Sequence, residues 1–292
     1  MQLIYLLFIV TSAFLHSFYN FLMRKNDGDR YFLNGVFIVA ATLSVASVFI
    51  DEGYKNIPWQ YAPYVFGAAL FYTLYQVFTN KAYELSSSIS TSYPLTVLSP
   101  LFIPIWAYFI LGERISPVTG LGIFITVLGA IMVQIKDYSF GELKKMFRFS
   151  KDYKAARYAI AASFVYSFGA IFDKAKVSYF PPTTYLALIV SFMAINMFVY
   201  MLITKSKGFI SGGFKNWKLT TIGGVAMLFS FLFFRLALAK VHVSIAVPVR
   251  QVAIIFAILF GVVFLKEKFN LKKLAAVIVI FAGIILINAG IR

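Results

Sequence analysis

The chain has 292 residues, of which 61% are hydrophobic and only 13% are charged. A soluble domain is close to half apolar and about a quarter charged, so this composition excludes a water-soluble globule, a disordered chain and a coiled coil. The apolar runs are continuous over about 20 residues, the length of a membrane-spanning helix. Strands of a membrane barrel are shorter and alternate apolar with polar residues. The composition therefore predicts an all-α integral membrane protein.

Ten predicted transmembrane spans account for most of the chain. They cover residues 3–23, 31–50, 60–81, 88–111, 117–136, 155–174, 182–204, 219–239, 243–265 and 271–290. The first span lacks a small-residue cleavage site after a short apolar region and is expected to be a retained helix rather than a signal peptide. Ser116 and Pro117 form an N-cap and a first-position proline, Asn270 is another N-cap, and Pro181-Pro182 open the seventh span.

The sizeable loop of the sequence, DYSFGELKKMFRFSKDYK at 137–154, separates two groups of five spans. Its phenylalanines and lysines predict a linker that lies on the membrane surface and is attracted to anionic lipid. A solvated connector is the alternative interpretation. We therefore divide the chain into a first repeat at 1–137, an interfacial cytoplasmic linker at 138–154 and a second repeat at 155–292.

The net charge of +16 is interpreted as a record of topology rather than of nucleic-acid binding. The connections after the odd-numbered spans carry 19 of the 27 lysines and arginines, and those after the even-numbered spans, with the C-terminus, carry six. The positive-inside rule then places the odd connections in the cytoplasm and both termini outside. We expect a multi-pass protein of the inner (plasma) membrane, with the lipid bilayer as a partner and no nucleic acid.

The two halves of the sequence repeat each other. A shift of 154 residues aligns Ser90 with Ser244, Pro94 with Pro248, Phe102 with Phe256, Leu111 with Leu265, Glu113 with Glu267 and Gly129 with Gly283. Because five spans is an odd number, the second copy is expected to enter the membrane upside down. Inverted repeats are typical of transporters, whose substrate site lies near the midplane between the copies.

The segments YPLTVLSPLFIPIWAYFILGERISPVTGLGIFITVLGA and VPVRQVAIIFAILFGVVFLKEKFNLKKLAAVIVIFAG resemble the duplicated EamA domain of the drug/metabolite transporter superfamily. The specific features are the Gly-Glu-Arg turn that contains Glu113 and the following Gly129. The second copy departs from this pattern, because Lys266 stands where the first copy has Gly112. The resemblance implies ten helices, a central cavity lined by helices 1, 3, 4, 6, 8 and 9, and export or exchange of small organic solutes.

Arg250 is the leading candidate for substrate binding. A basic side chain at the bilayer centre costs about 2.5–3.5 kcal/mol on insertion scales and usually faces a cavity or a partner. Pro248 removes a helical hydrogen bond two residues earlier, and Gln251 follows directly. A two-pronged donor beside a loosened turn is suited to a carboxylate or phosphate. A structural pair with Asp173 and snorkelling to the interface are the alternatives for Arg250.

Arg235 and Lys174 are candidates for binding the same anionic group. Together with Arg250 they place three cations in the outer halves of helices 6, 8 and 9, opposed only by Asp173. Snorkelling is the default interpretation of Arg235 and of its repeat mate Lys81, because both lie near helix ends. In the phosphate-exchanging plant translocators of the resembled superfamily, basic residues of the ninth helix hold the phosphate, and Arg250 is similar in placement.

Polar stripes within the spans supply the remaining candidates for substrate binding. They are His16, Asn20, Tyr75, Gln76, Tyr93 and Tyr166. Residues 16 and 20 lie one helical turn apart and share a face; a hydrogen-bonded packing role is the alternative for the histidine.

Two further pairs of repeat mates are assigned mechanical roles. Pro94 and Pro248 are expected to act as hinges, one for each gate. Glu113 and Glu267 stand at helix ends beside basic residues and are interpreted as structural caps or local pairs. No acidic residue lies in the middle of a span, which favours exchange, facilitated diffusion or coupling through His16.

These features favour a secondary transporter that moves a small organic solute, with an anionic group, by alternating access in export or exchange. The alternative is a translocator of a lipid or lipid-linked sugar with the same fold. An enzyme is not expected, because aspartate-rich metal motifs and a buried nucleophile with partners are not visible. With no cysteine, two histidines and no GxxxxGK[ST] loop, we expect no metal, no cofactor and no direct use of ATP. We expect a monomer or weak homodimer.

Overall fold

The computed structural model of the chain describes residues 1–25, 31–85, 98–132, 154–204, 212–264, 266 and 271–290. Within these ranges the chain is helical and forms no β-strand, which confirms the predicted all-α class. The helices, in chain order, are α1 (Leu3–Lys25), α2 (Phe32–Ile50), α3 (Ala62–Glu84), α4 (Ser99–Leu111), α5 (Pro117–Met132), α6 (Lys154–Lys176), α7 (Pro182–Ile203), α8 (Trp217–Leu238), α9 (Val243–Arg250), α10 (Ala253–Phe264) and α11 (Leu271–Ala289).

Six segments of the described chain are long and apolar enough to cross a membrane. They are Leu3–Leu22, Phe32–Ile50, Pro182–Ile203, Trp217–Leu238, Val243–Phe264 and Leu271–Ala289. Many large apolar side chains lie on the outside of the protein; Ile50, Phe109 and Leu271 are 85%, 75% and 82% exposed. Apolar surface on this scale requires lipid rather than water around it. The chain is therefore a multi-pass membrane protein.

Most helix boundaries lie within a few residues of their predicted positions. α5 begins at Pro117, and the Ser116 hydroxyl accepts the backbone N–H of Thr119 at 3.1 Å, which confirms the predicted N-cap. α7 begins at Pro182, as predicted. The ninth predicted span differs from the prediction, because it is divided into α9 and α10.

Several predictions concern residues outside the described ranges. These residues are Tyr93, Pro94, Glu267, Asn270 and all but the last residue of the linker at 138–154. The first part of the fourth predicted span, 88–97, also lies there. The hinge role of Pro94 and the cap role of Glu267 therefore stay predictions.

The helices form two compact units, of which the first contains Met1–Leu70, Phe172–Val241 and Ala253–Glu267. In this unit α1 packs against α8 and α10, and α2 packs against α7 and α8. The Ser230 hydroxyl of α8 donates to the carbonyl of Ser12 in α1 at 2.8 Å, and both residues are fully buried. Small hydroxyl residues of this kind let two membrane helices approach closely while their polar groups stay paired.

The second unit contains Phe71–Ile171, His242–Val252 and Lys268–Arg292. In this unit α5 packs along α11, and α9 contacts α4, α5 and α11. A Cβ atom built on Gly122 of α5 would lie 2.7 Å from the carbonyl oxygen of Gly283 in α11. Only glycine permits this approach of two helix backbones.

Candidate functional site

The ninth predicted span is interrupted directly after Arg250. The backbone N–H of Gln251 donates to the carbonyl of Pro248 at 3.0 Å, and that of Val252 donates to Val249 at 3.1 Å. These bonds span three residues rather than four, so the α-helix tightens and ends before α10 begins at Ala253. The interruption lies where Pro248, which has no backbone N–H, is expected to weaken the helix.

The two halves of the interrupted span belong to different units, and α10 is held in the first. There the Ser17 hydroxyl of α1 donates to the carbonyl of Ala253, the first residue of α10. The Phe14 ring of α1 packs edge-on against Phe256 at 5.3 Å and lies 5.5 Å from Phe260. The start of α10 is thus fastened to α1 by one hydrogen bond and an aromatic cluster.

In the second unit, Glu113 holds the N-terminus of α9. One carboxylate oxygen, Oε1, accepts the backbone N–H of Val243 at 2.9 Å. The other, Oε2, accepts the backbone N–H of Ser244 at 3.1 Å and its hydroxyl at 2.7 Å. Glu113 is only 7% exposed, and a carboxylate is favoured at the positive end of a helix dipole. The predicted cap is present, and the helix it caps lies 130 residues further along the chain.

A left-handed residue after α4 places the Glu113 side chain. Gly112 has a φ of +68°, and the backbone N–H of Glu113 donates to the carbonyl of Ala107 at 3.0 Å. This arrangement ends the helix and turns the chain sharply. The repeat mate Lys266 has a φ of +54°. The two copies therefore share a left-handed conformation at this position, although glycine is replaced by lysine.

Arg250 and Gln251 stand at the C-terminal end of α9. The helix is buried from Val243 to Val249, whereas Arg250 and Gln251 are half-buried. The guanidinium belongs to the last helical residue, where a cation is favoured by the carbonyl end of the helix dipole. Its substrate-binding role stays a prediction.

The second unit also brings together two predicted binding residues from different helices. The ring of Tyr166 in α6 lies 5.1 Å from that of Tyr75 and 5.3 Å from that of Tyr72, both in α3. Tyr75, Gln76 and Tyr166 are half-buried, and Tyr72 is buried. The cluster offers ring faces and phenolic hydroxyl groups, which suit the organic part of a solute.

In the first unit, Arg235 of α8 forms a buried ion pair with Asp173 of α6. The Arg235 guanidinium donates to an Asp173 carboxylate oxygen at 2.9 Å, and the two side chains are 6% and 0% exposed. The ring of Phe231 lies 4.9 Å from the guanidinium carbon. The Tyr185 hydroxyl of α7 donates to the Asp173 carbonyl at 3.3 Å. Burial of Arg235 overturns the snorkelling interpretation, whereas its repeat mate Lys81 is exposed.

Lys174 is fastened to the same pair of helices. Its ammonium group donates to the carbonyl of Leu238, the last residue of α8, at 2.8 Å. A cation is favoured at this end of a helix. Lys174 and Arg235 therefore both link α6 to α8, so recruiting either one to an anionic solute requires an exchange of partners.

His16 and Asn20 are neighbours on α1, as their spacing predicts. The Asn20 amide donates to the His16 carbonyl at 2.8 Å. The His16 Nδ1 atom and the Tyr19 hydroxyl are hydrogen-bonded at 2.6 Å, and the two rings meet edge-to-face. These contacts lie within one helix, and their geometry fits the packing role as well as it fits a cavity role.

A cage of three tyrosines around Lys176 was missed by the sequence analysis. The Lys176 ammonium lies 4.4 Å from the ring centre of Tyr61, 5.1 Å from that of Tyr64 and 4.7 Å from that of Tyr179. These are distances at which a cation is attracted to aromatic faces. Tyr61 and Tyr64 lie just before and within the first turn of α3, and Tyr179 lies in the turn after α6. The cage depends on the packing of these two distant segments, which the sequence does not indicate.

The chain matches one known protein family and resembles a solved structure. The model of the EamA-like transporter family matches the chain twice, over residues 3–135 and 154–289. A solved structure, described as a crystal structure of a protein, resembles this chain with a TM-score of 0.76. The alignment covers 98% of this chain and 96% of that chain at 16% sequence identity, which supports a shared fold. No curated protein matches the chain.

Proposed function

Because this chain belongs to the EamA-like transporter family of the drug/metabolite transporter superfamily, we propose that it is a secondary transporter of a small organic solute that carries an anionic group. Transport proceeds by alternating access, as export or exchange. In this proposal the chain is a ten-helix transporter built from two inverted repeats, with both termini outside the inner membrane, and the two family matches support the duplication. The repeats are residues 1–137 and 155–292.

The observation that carries this proposal is the interruption of the ninth span directly after Arg250. Broken helices are typical of transporter binding sites, because their unwound backbone and half-helix ends supply polar groups within the membrane. An arginine at such a break costs little to bury once an anion lies beside it. Arg250 is the residue that binds the anionic group, and Gln251 supplies an adjacent amide.

Pro248 lies two residues before the break and supports a hinge there. α9 is fastened to Glu113 in one unit, and α10 is fastened to Ser17 in the other. Pro248 cannot donate a backbone hydrogen bond to the carbonyl of Ser244, so the helix resists bending less at this point. Pro248 is the hinge of one gate.

Selectivity in this proposal comes from two kinds of group in the second unit. Arg250 supplies a planar donor for a carboxylate or phosphate. Tyr75 and Tyr166, with Gln76 on the next residue, supply aromatic faces and polar atoms for the uncharged part of the solute. We therefore expect the solute to combine an anionic head with a small organic body.

A charge-resolved screen tests the proposal. The purified protein is heated with matched sets of organic carboxylates, organic phosphates, their uncharged amides and esters, and organic amines. Anionic members alone are expected to raise the midpoint of unfolding, and the same compounds should drive counterflow in proteoliposomes. Arg250→Ala should abolish both responses, whereas Arg157→Ala, at an exposed arginine of α6, should leave them unchanged.

Two outcomes of this screen contradict the proposal. Stabilisation and counterflow by uncharged compounds or amines alone would contradict the proposal that the solute carries an anionic group. Stabilisation by anionic phospholipid with no response to any soluble anion would replace the solute transporter by a lipid translocator.

A further inference from the structure

We propose that Glu113 is a positioning residue for Arg250, because it fixes the helix whose last residue is that arginine. The inference rests on the proposed function, in which Arg250 binds the anionic group of the solute. It assigns a task in substrate recognition to a carboxylate of the first repeat that is expected to lie at the membrane surface, far from the midplane.

α9 is short, with eight residues, and short helices in proteins are stabilised by tertiary packing more than by their own sequence. α9 packs against α4, α5 and α11, and its first N–H groups are bonded to Glu113. Its continuation, α10, does not extend it, because the α-helical bonding pattern is lost at Gln251 and Val252. The position of α9 is therefore set by what holds it from outside.

Glu113 holds three donors at the N-terminal end of α9. The two backbone N–H groups of Val243 and Ser244 and the Ser244 hydroxyl all point to one buried carboxylate. A buried carboxylate with fixed acceptors defines both the position and the direction of the helix start. The carboxylate is itself fixed, because Gly112 and the Glu113-to-Ala107 hydrogen bond tie it to the end of α4.

A displacement at the helix start is carried to Arg250. The seven steps from Val243 to Arg250 correspond to about 10 Å of helical rise, and the α-helix is continuous over them, so a shift of its first turn also moves its last residue. The break at 251–252 gives the C-terminal end freedom to follow. Because binding of an anion by two parallel hydrogen bonds tolerates little misplacement, a loosened N-terminus weakens anion binding without any change at Arg250 itself.

Three substitutions disturb the anchor at Glu113 to different degrees. Glu113→Gln keeps the size of the side chain but replaces one acceptor oxygen by an NH2 group, which then faces a donor of α9. Glu113→Asp keeps the charge but shortens the reach by one methylene. Ser244→Ala removes the hydroxyl donor only and leaves both backbone donors in place, so it is the mildest change to the same anchor.

The experiment measures dissociation constants of the full-length protein for two anionic probes, benzoate and inorganic phosphate, and for benzamide as the uncharged counterpart of benzoate. Positioning predicts that Glu113→Gln weakens binding of both anions by about tenfold. This is the order expected when the displaced Arg250 loses one of its two charge-assisted hydrogen bonds to the anion. Glu113→Asp and Ser244→Ala should weaken it less. Benzamide binding should not change. Glu52→Gln, at an exposed carboxylate of the first unit, should have no effect on any probe.

A double-mutant cycle separates positioning from a purely structural role. In the Arg250→Ala background, Glu113→Gln should cause no further loss of anion binding, because the residue it positions is gone. A structural cap would lower the midpoint of unfolding with anion affinity unchanged, and that result overturns the inference. Should Glu113→Gln fail to fold, Ser244→Ala carries the same test.

The chain contains no cysteine, so a single spin label at His242→Cys reports directly on the start of α9. His242 is exposed and precedes the first helical residue. Ser244→Ala and Glu113→Asp should increase the mobility of this label. A label at Lys240→Cys, which is exposed and belongs to the other unit, should not respond. Unchanged mobility at His242 contradicts the anchor.

Failure of the inference and failure of the proposed function give different results. If Arg250→Ala weakens binding of the two anions and Glu113→Gln does not, Arg250 binds the anion and Glu113 does not position it. If neither anion binds to the wild-type protein, or if Arg250→Ala binds them as well as the wild type does, the proposed anion site is wrong and the inference falls with it.

Discussion

The Asp173 carboxylate and the Arg235 guanidinium meet at 2.9 Å between α6 and α8, and both side chains are buried. Two opposite charges in an apolar interior are stable only as a pair, because each alone would bear the full cost of desolvation. This pair therefore links the two helices more strictly than apolar packing does.

Removing one member of this pair is expected to destabilise the protein strongly. Asp173→Asn should lower the free energy of unfolding by about 3–5 kcal/mol, because the Arg235 charge loses its buried counterion. The double variant Asp173→Leu/Arg235→Met should recover most of that loss. Unfolding in mixed detergent measures both. As a control, Glu52→Gln, which removes an exposed ion pair with Lys55, should change stability by less than about 1 kcal/mol. Equal losses in the single and double variants would argue against a paired role.

The tyrosine cage predicts a smaller, charge-specific effect at Lys176. Lys176→Met keeps an apolar stem but loses the ammonium, and should cost about 1 kcal/mol of stability. Lys176→Arg should retain most of the interaction. Lys218 is the matched control, because its ammonium lies 5.8 Å from the centre of a single ring, that of Trp217. Lys218→Met should have little effect on stability. Thermal melts that rank the two methionine variants equally would contradict the cage.

The shared left-handed turn predicts opposite effects for reciprocal substitutions. Gly112→Ala should destabilise the protein by about 1–2 kcal/mol, because a side chain disfavours positive φ. Lys266→Gly should stabilise it by a fraction of the same amount, since the strain at a φ of +54° is relieved while the unfolded chain gains freedom. The two melting curves decide this. A loss of stability in Lys266→Gly would show that the lysine side chain makes a contact worth more than the strain.

The hinge assignment predicts a kinetic effect for Pro248→Ala. Alanine restores a backbone donor for the Ser244 carbonyl, which stiffens α9 by about one hydrogen bond, or about 1 kcal/mol. Turnover in proteoliposomes should slow roughly fivefold for a barrier raised by that amount, with folding largely intact. Pro104→Ala, inside α4 of the same unit, is the matched control and should transport normally. Wild-type turnover in Pro248→Ala would contradict the hinge role of Pro248.

The positions of the helices could be predicted from local patterns, because a membrane span is defined by a continuous apolar run. The Ser116 cap and the Pro182 start followed from residues adjacent to the helix ends. The break after Arg250 was only half predicted. Pro248 indicated a weakened turn, but a proline kink and a full interruption have the same sequence signal.

The partners of the charged residues were harder to predict, because they depend on how helices are rotated against each other. The structure shows a pair of Asp173 with Arg235, which the sequence did not indicate, whereas the pairing of Asp173 with Arg250 stays a prediction. Both arginines lie in apolar spans, and the pattern of polar residues does not indicate which of them is close to Asp173. Glu113 could be recognised as a cap from its place after α4, but its target, the start of α9, is set by long-range packing.

The central claim is that Arg250 binds the anionic group of the solute, and its most direct test is the dissociation constant of two Arg250 variants for the anionic compound that the charge-resolved screen selects. Arg250→Lys keeps the charge but loses the planar two-pronged donor, and binding should weaken about tenfold. Arg250→Ala should weaken it about a hundredfold, the order expected for a lost pair of charge-assisted hydrogen bonds, while the protein remains monodisperse. Wild-type affinity in Arg250→Ala would contradict the claim.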